Sequence, residues 1–394
     1  MKKIKIIFCI SIIFLLSGCW NYNELNNLAI ITGIAIDKEN NDYIMTYMIS
    51  NSSQGDSKSN SNQTSTVLYE GIGSTLTKAS ESINQKLPKT PYIGHTEVIV
   101  VSEEIAQNDM LNIMDFFLRN PESRKEIYVL VSKGVKAKDT LSILRPLESF
   151  PSQNIKSNIE AAENEIASTY TIKFSKFLSQ LIEQGIDPTL GVIEVEGDIK
   201  EGQSQESIDK SKQSAVIKLE NTAVFKNDKL VYITNKEESA AINTLNKYLN
   251  NIYIETKCND ETITTNITSI DIKTDVKIEN NEVKIVIDAS GTGSLIEVNC
   301  KKNLEDNKVI EEIKKDVDKE LENFLYKGIQ VSQKYKTDIF GFGNMLYKKE
   351  TKYWNKIKDN WEENILPNVK VEIKSDIDLA NKGSLQQTIK GELK

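Results

Sequence analysis

Apolar and polar positions along the chain follow two rhythms, and the change from one to the other marks the elements. Leu28 to Asp37 and Tyr43 to Ser50 are apolar-rich runs joined by Lys38-Glu39-Asn40-Asn41-Asp42, the pattern of two strands and a hairpin. Asn51 to Ser65 holds Ser, Asn and Gln with almost nothing to bury, which predicts a mobile loop. Leu76, Ala79, Ile83 and Leu87 recur at helical steps over Ser74 to Leu87, and Pro88 ends the run. Thr96 to Val101 and Ile127 to Val131 read as strands. Between them, Glu103 to Arg119 reads as one helix with Leu111, Met114 and Leu118 on one side. Phe174, Phe177, Leu178, Leu181 and Ile182 fall on a further helix closed by Gly185.

Glu196 to Ser214 breaks the pattern. It is Gly, Gln, Ser and charge, with only Ile199 and Ile208 as large apolar residues, and this predicts an interdomain linker. Beyond it, Ala215 to Phe225 and Leu230 to Ile233 pair across Lys226 to Lys229, and a helix comes next over roughly Glu237 to Leu249. Strands are expected at Ile252 to Thr256, Thr262 to Ile278, Glu282 to Ala289 and Val369 to Ile373, with Asn280-Asn281 as a turn. Ile310, Ile313, Val317, Leu321, Phe324, Gly328, Val331 and Tyr335 form one stripe, the mark of a helix of about seven turns lying across a sheet. Strand and helix patterns alternate, so the fold class is mixed α/β (α+β), with three domains of small sheets and packed helices.

The first residues form none of this pattern. Met1 to Lys5 carries three lysines, Ile6 to Leu16 is apolar apart from Ser11, and Leu16-Ser17-Gly18-Cys19 comes directly after. A basic start, a short apolar core and small residues before a cysteine make residues 1–18 a signal peptide with a lipobox. At about 1.5 Å per residue, eleven residues reach only about half of a ~30 Å hydrocarbon core. The expected product carries a diacylglyceryl group on Cys19 and no other cofactor. The expected division is 1–18 signal peptide, 19–195 N-terminal region of two subdomains, 196–214 linker and 215–394 C-terminal domain.

Charge narrows the partners. After cleavage, 46 basic residues face 57 acidic ones, a net charge of about −11, without a basic patch. Nucleic acid is excluded as a partner on this ground. Two cysteines remain, Cys258 and Cys300, and in an exported chain they form either a disulfide or two reduced, half-buried thiols.

The catalytic inventory is thin. His95 is the single histidine; it has no nucleophile in a known pattern, and reads as a structural group at a strand start. Gly71-Ile72-Gly73 lacks the third glycine of a dinucleotide turn. The acids have no metal-loop spacing, so no metal site and no catalytic residue are expected. Tyr335 to Gly343 is distinctive: two glycines flank an aromatic just past the long helix, Phe340 and Phe342 are placed to pack back under it, and Asp338 to cap the segment after it. Trp354 and Trp361, seven apart, read as core on one side of a helix.

The chain resembles the C subunits of spore germinant receptors, the Ger(x)C lipoprotein family. The resemblance runs through Gly18-Cys19-Trp20, Glu24-Leu25, Gly33 to Asp37, Gly94-His95, Asp115-Phe116-Phe117-Leu118-Arg119 with Glu122 and Arg124, Leu147-Glu148, Asp187-Pro188, Asp338 to Gly343 and the tryptophan pair. Asn23, where the family carries a charged residue, and the long Ser/Asn segment depart from it. The resemblance implies a non-enzymatic, lipid-anchored subunit on the outer face of the spore inner membrane, partnered by receptor A and B membrane subunits. Two other readings stand beside it: an envelope lipoprotein that captures a small molecule between two lobes, and an envelope hydrolase using His95.

Overall fold

The computed structural model describes residues 24–51, 65–144, 151–161, 170–248 and 251–381. These form two sheets, of nine and four strands, with helices against both. The mixed α/β class agrees with the sequence reading; its sheets are gathered into two bodies.

The first unit opens with β1 (Leu28–Glu39), β2 (Asp42–Ser50), β3 (Thr66–Gly73), α1 (Leu76–Asn84), β4 (Thr90–Tyr92), β5 (Val98–Ser102), α2 (Glu103–Asn108), α3 (Met110–Arg119) and β6 (Tyr128–Ser132). It continues through α4 (Ala137–Ser142), α5 (Pro151–Ala161), α6 (Phe174–Ile182), β7 (Thr189–Gly197), two one-turn helices, α7 (Ile199–Gly202) and α8 (Gln205–Ile208), then β8 (Ala215–Lys226) and β9 (Lys229–Ile233). The strand order is β3-β2-β1-β5-β6-β7-β8-β9, with β4 beside the start of β1. β1, β5, β6 and β7 run parallel in the centre, and antiparallel strands extend the sheet on both sides. Val98-Ile99-Val100-Val101 is wholly buried because one core covers each face. That is why this run shows no polar alternation. Burying each such side chain contributes about 1.5–3 kcal/mol.

Turns obey their residues. Asn40 and Asn41 have φ of 49° and 70°, the left-handed pair a two-residue hairpin requires. A Cβ on Gly71 would lie 2.2 Å from the Ala79 carbonyl oxygen, so the glycine in β3 lets α1 pack directly on the strand. The expected helix from Glu103 to Arg119 is broken at Asp109, which has φ −132°. The break turns the second segment, so Met110, Ile113, Met114 and Phe117 are buried while Leu111 and Leu118 are exposed. The end of α6 departs in the same way: Ile182 is exposed.

Residues 196–214 are not a linker. β7 and β8 pair antiparallel from Thr189 with Val224 to Gly197 with Ala215, so the polar segment joins neighbours in one sheet. Its two helical turns fold back on that ladder, and Gly202 packs beside Ala215. Polar composition here reflects a short surface connection, with Gly197 at φ 107° supplying the reversal. Residues 215–233 therefore belong to the first sheet, and the passage to the second unit comes at α9 (Lys236–Leu245).

The second unit contains β10 (Ile252–Cys258), β11 (Glu261–Glu279), β12 (Glu282–Val298), α10 (Asn307–Tyr335), α11 (Phe342–Lys349), α12 (Thr351–Ile357) and β13 (Lys370–Asn381). β11 and β12 are a long hairpin turned by Asn280 and Asn281, and β13 adds parallel to β12. α10 buries Ile313, Val317, Leu321, Leu325, Gly328, Ile329 and Val331. Leu325 takes the central place expected of Phe324, which is half-buried. α9 crosses α10 at Gly328, where a Cβ would sit 3.2 Å from the Ile242 amide. A 3₁₀ turn at Lys358–Asn360 and a π turn at Trp361–Ile365 interrupt the expected tryptophan helix, yet Trp354 and Trp361 are both core. No described helix is long and apolar enough to cross a membrane.

Candidate functional site

The lipobox residues Leu16, Ser17 and Gly18 and the expected lipid-bearing Cys19 lie outside the described residues, as does most of the Ser/Asn segment. Its ends, Asn51 and Ser65, pair through a 2.8 Å backbone hydrogen bond. Cys258, at the end of β10, and Cys300, after β12, form a disulfide with Cα atoms 6.1 Å apart. It ties the edge of the second sheet to the approach to α10. Among the described residues no group of three or more His, Cys, Asp or Glu side chains is arranged to hold a metal.

His95 is exposed just ahead of β5, with its ring edge-on to Tyr92. It lines a cleft of about 350 Å³ together with Arg124, from the same resemblance motif set. Glu160 also lines it, and four further charges there are paired: Lys156 with Glu97 at 3.4 Å and Lys173 with Glu126 at 2.9 Å. Thr96, the hydroxyl beside His95, donates to the Ile31 carbonyl. The cleft thus brings a histidine among ion pairs and not against a free nucleophile.

A larger cleft of about 640 Å³ opens between the start of α1 and α3. Leu76, Phe116 and Pro121 give it an apolar floor, and Asp115 and Arg119 stand at its edge, paired at 2.7 Å. Tyr43 is fixed on its wall by hydrogen bonds to Asp109 and Asn112, and Asp109 in turn binds Lys38 at 2.6 Å. Within Asp115 to Arg119 only Phe117 is core. Asp115, Leu118 and Arg119 are exposed, with Leu118 at 46% and neighbouring Leu111 at 54%. None of these three side chains enters a core; Asp115 and Arg119 meet each other at the surface.

The Tyr335 to Gly343 segment joins the two units. Asp338 is fully buried. Its carboxylate accepts from the Phe342 and Gly343 amides at 2.9 and 2.6 Å, capping α11, and from Trp361 Nε1 at 2.8 Å. Gly343 has no room for a side chain: a Cβ would lie 2.6 Å from the Trp354 ring. Phe340 and Phe342 pack into the second core as expected. Across the joint, the Asp338 amide donates to Asp187 Oδ2 at 2.8 Å, and the Asp187 amide donates to the Asp338 carbonyl at 2.9 Å. Asp187 also accepts from the Asn227 amide at 2.8 Å, in the β8–β9 turn. Gln184 adds a carbonyl for Asn344 and a side-chain oxygen for Trp354. Burial raises Asp187 above the usual carboxylate range despite its two amide donors.

Residues 21–195 match the family model for the spore germination protein N-terminal domain, and residues 220–383 match the spore germination B3/GerAC-like C-terminal model. The chain belongs to the Ger(x)C family of spore germination proteins. The Ger(x)C assignment extends over full-length relatives. Spore germination protein KC of Bacillus subtilis strain 168 is 27% identical, covering 97% of this chain and 96% of that protein. Spore germination protein B3 of the same organism is 23% identical, covering 88% and 90%. The crystal structure of the GerBC protein superposes with a TM-score of 0.56 at 19% identity, covering 89% of this chain and 97% of that one, and so shares its fold.

Asp187, Gln184 and Glu362 were not singled out as site residues by sequence reasoning. In the sequence, Asp187-Pro188 is legible only as a dipeptide of the family resemblance. Its role depends on a partner 151 residues away, for which no local pattern exists.

Proposed function

We propose that this Ger(x)C chain is the lipid-anchored, non-catalytic C subunit of a spore germinant receptor, needed for nutrient-triggered germination. A diacylglyceryl group on Cys19 holds it on the outer face of the spore inner membrane, and it acts by contact with the A and B membrane subunits. Anchoring raises its local concentration beside those partners. The observation that carries the reading is the α3 face: Asp115, Leu118 and Arg119 belong to the family resemblance, are exposed, and lie outside the core. Exposed leucines beside an apolar-floored cleft suit a protein contact.

Capture of a small molecule between two lobes would suit a linker at residues 196–214, and that segment lies within the first sheet unit. Capture by the cleft of about 640 Å³ is what now supports it. Calorimetry of the isolated chain against amino acids and sugars separates the two; tight binding favours the capture reading.

The receptor reading is tested in spores. Deleting the chain abolishes the germinant response, and Cys19→Ala weakens it by releasing the anchor, read as loss of the protein from the membrane fraction. Normal germination of a deletion strain without paralogues overturns the reading. His95→Ala leaves germination unchanged if no hydrolase chemistry is involved.

A further inference from the structure

The joint between the two units carries one group that its hydrogen bonding does not use. Asp187 comes from the segment before β7, and Asp338 and Glu362 come from the second unit. Both oxygens of Asp338 are taken by three N–H donors, and both oxygens of Asp187 by two amides. Glu362, half-buried beside them, makes no hydrogen bond among the described residues. The cation within ion-pair range is Lys226, at 3.9 Å, and it is bound more closely to Glu363, which Lys336 also holds at 2.8 Å.

We propose that Glu362 is a proton-operated catch for this joint: protonated, it rests neutral beside Asp187 and Asp338, and on losing its proton it loosens the seam between the two units. The geometry favours Glu362 as the seat of the proton. Both Asp338 oxygens accept from N–H donors, bonds that a proton there would weaken, whereas neither Glu362 oxygen accepts a hydrogen bond among the described residues. Ionised Glu362 puts a third carboxylate into a seam that has Lys226 as its compensating cation, and Lys226 and Lys336 are already engaged by Glu363. Facing Glu362 are therefore Asp187 from the first unit, Lys226 from the β8–β9 hairpin, Asp338 from the segment after α10, and neighbouring Glu363.

Burial, followed by the charges of Asp187 and Asp338, pushes the Glu362 carboxyl up from its ordinary 4.5 to about 7. Burial also raises Asp338 to about 7, so the two share the titration. The closed joint binds the proton more tightly than an opened one in which Glu362 meets water. Its contribution is then complete at low pH, declines as pH rises, and is lost once pH has passed through about 7. The proposal concerns the folded chain alone and stands whether or not the receptor reading holds.

The test is amide hydrogen exchange on the full-length chain, corrected for intrinsic rates, at the amides of Asn227, Asp338, Phe342 and Gly343. Protection falls about tenfold or more between about pH 5.5 and about pH 7.5, since one unit of raised pKa is worth a factor of ten. Glu362→Gln stays protected at both, and Glu363→Gln keeps the wild-type fall; circular dichroism checks that each is folded. Equal protection at the two pH values in the wild type overturns the proposal. So does an undiminished fall in Glu362→Gln, or its disappearance in Glu363→Gln.

Discussion

Replacing Asp187 by Ala removes an acceptor that serves two buried backbone donors at once. The Asp338 and Asn227 amides, each 2.8 Å from its oxygens, are left unpaired, and Asp187 itself is 2% exposed, so water has little access to replace them. A buried donor without a partner costs about 1–3 kcal/mol, and neighbouring losses add incompletely. Relief of burying the Asp187 carboxyl offsets part of the loss, since that burial already raises its pKa. The expected destabilisation is about 2–4 kcal/mol, a large share of a typical margin of about 5–15 kcal/mol. Asp187→Asn keeps one acceptor oxygen and is expected to cost about half as much. Urea unfolding monitored by fluorescence of Trp354 and Trp361 measures both, with a fall in midpoint at unchanged slope. A loss below about 1 kcal/mol for the alanine variant refutes the claim that these amides depend on Asp187.

The packing sets other outcomes. The Cys258–Cys300 bridge spans 42 residues, so its removal by a double alanine substitution lowers stability by about 4 kcal/mol on a chain-entropy basis, read as a urea-midpoint difference. Gly343→Ala forces a methyl against the Trp354 ring and costs about 2 kcal/mol or more, seen as a lowered melting temperature and altered tryptophan fluorescence. Arg119→Ala leaves the melting temperature unchanged, because its pair with Asp115 is exposed, but on the proposed receptor reading reduces recovery of the chain with A and B subunits.

Elements with a local cause were legible in the sequence. The Asn40-Asn41 and Asn280-Asn281 turns announce themselves by residue type, and the Val98 to Val101 run by its lack of polar alternation. The α10 stripe was readable because a helix of 29 residues repeats its signal many times. Where the reading failed, the cause lay in tertiary structure. Residues 196–214 carry a linker's composition, yet they connect adjacent strands whose pairing is invisible without the sheet. The break at Asp109 ends a short helix capped by Ser102, whose hydroxyl accepts from the Ile105 amide; that cap signals a start but not an early stop. The shift of phase parts Leu111 and Leu118 from Met114, the side they were expected to share, and leaves the two leucines outside as candidate contact residues. In the candidate site, Asp338 was readable as a cap three residues before its glycine pair, whereas its pairing with Asp187 and Trp361 required the fold.

If lipid on Cys19 holds this chain beside membrane-embedded partners, as proposed, it must be recoverable together with them. Affinity isolation of the tagged full-length protein from detergent-solubilised spore membranes, with crosslinks mapped by mass spectrometry, measures this. Receptor A and B subunits are expected to be recovered with the chain, with crosslinks at or beside the α3 face. Recovery of the chain alone, or from the soluble fraction without either subunit, would contradict the receptor reading.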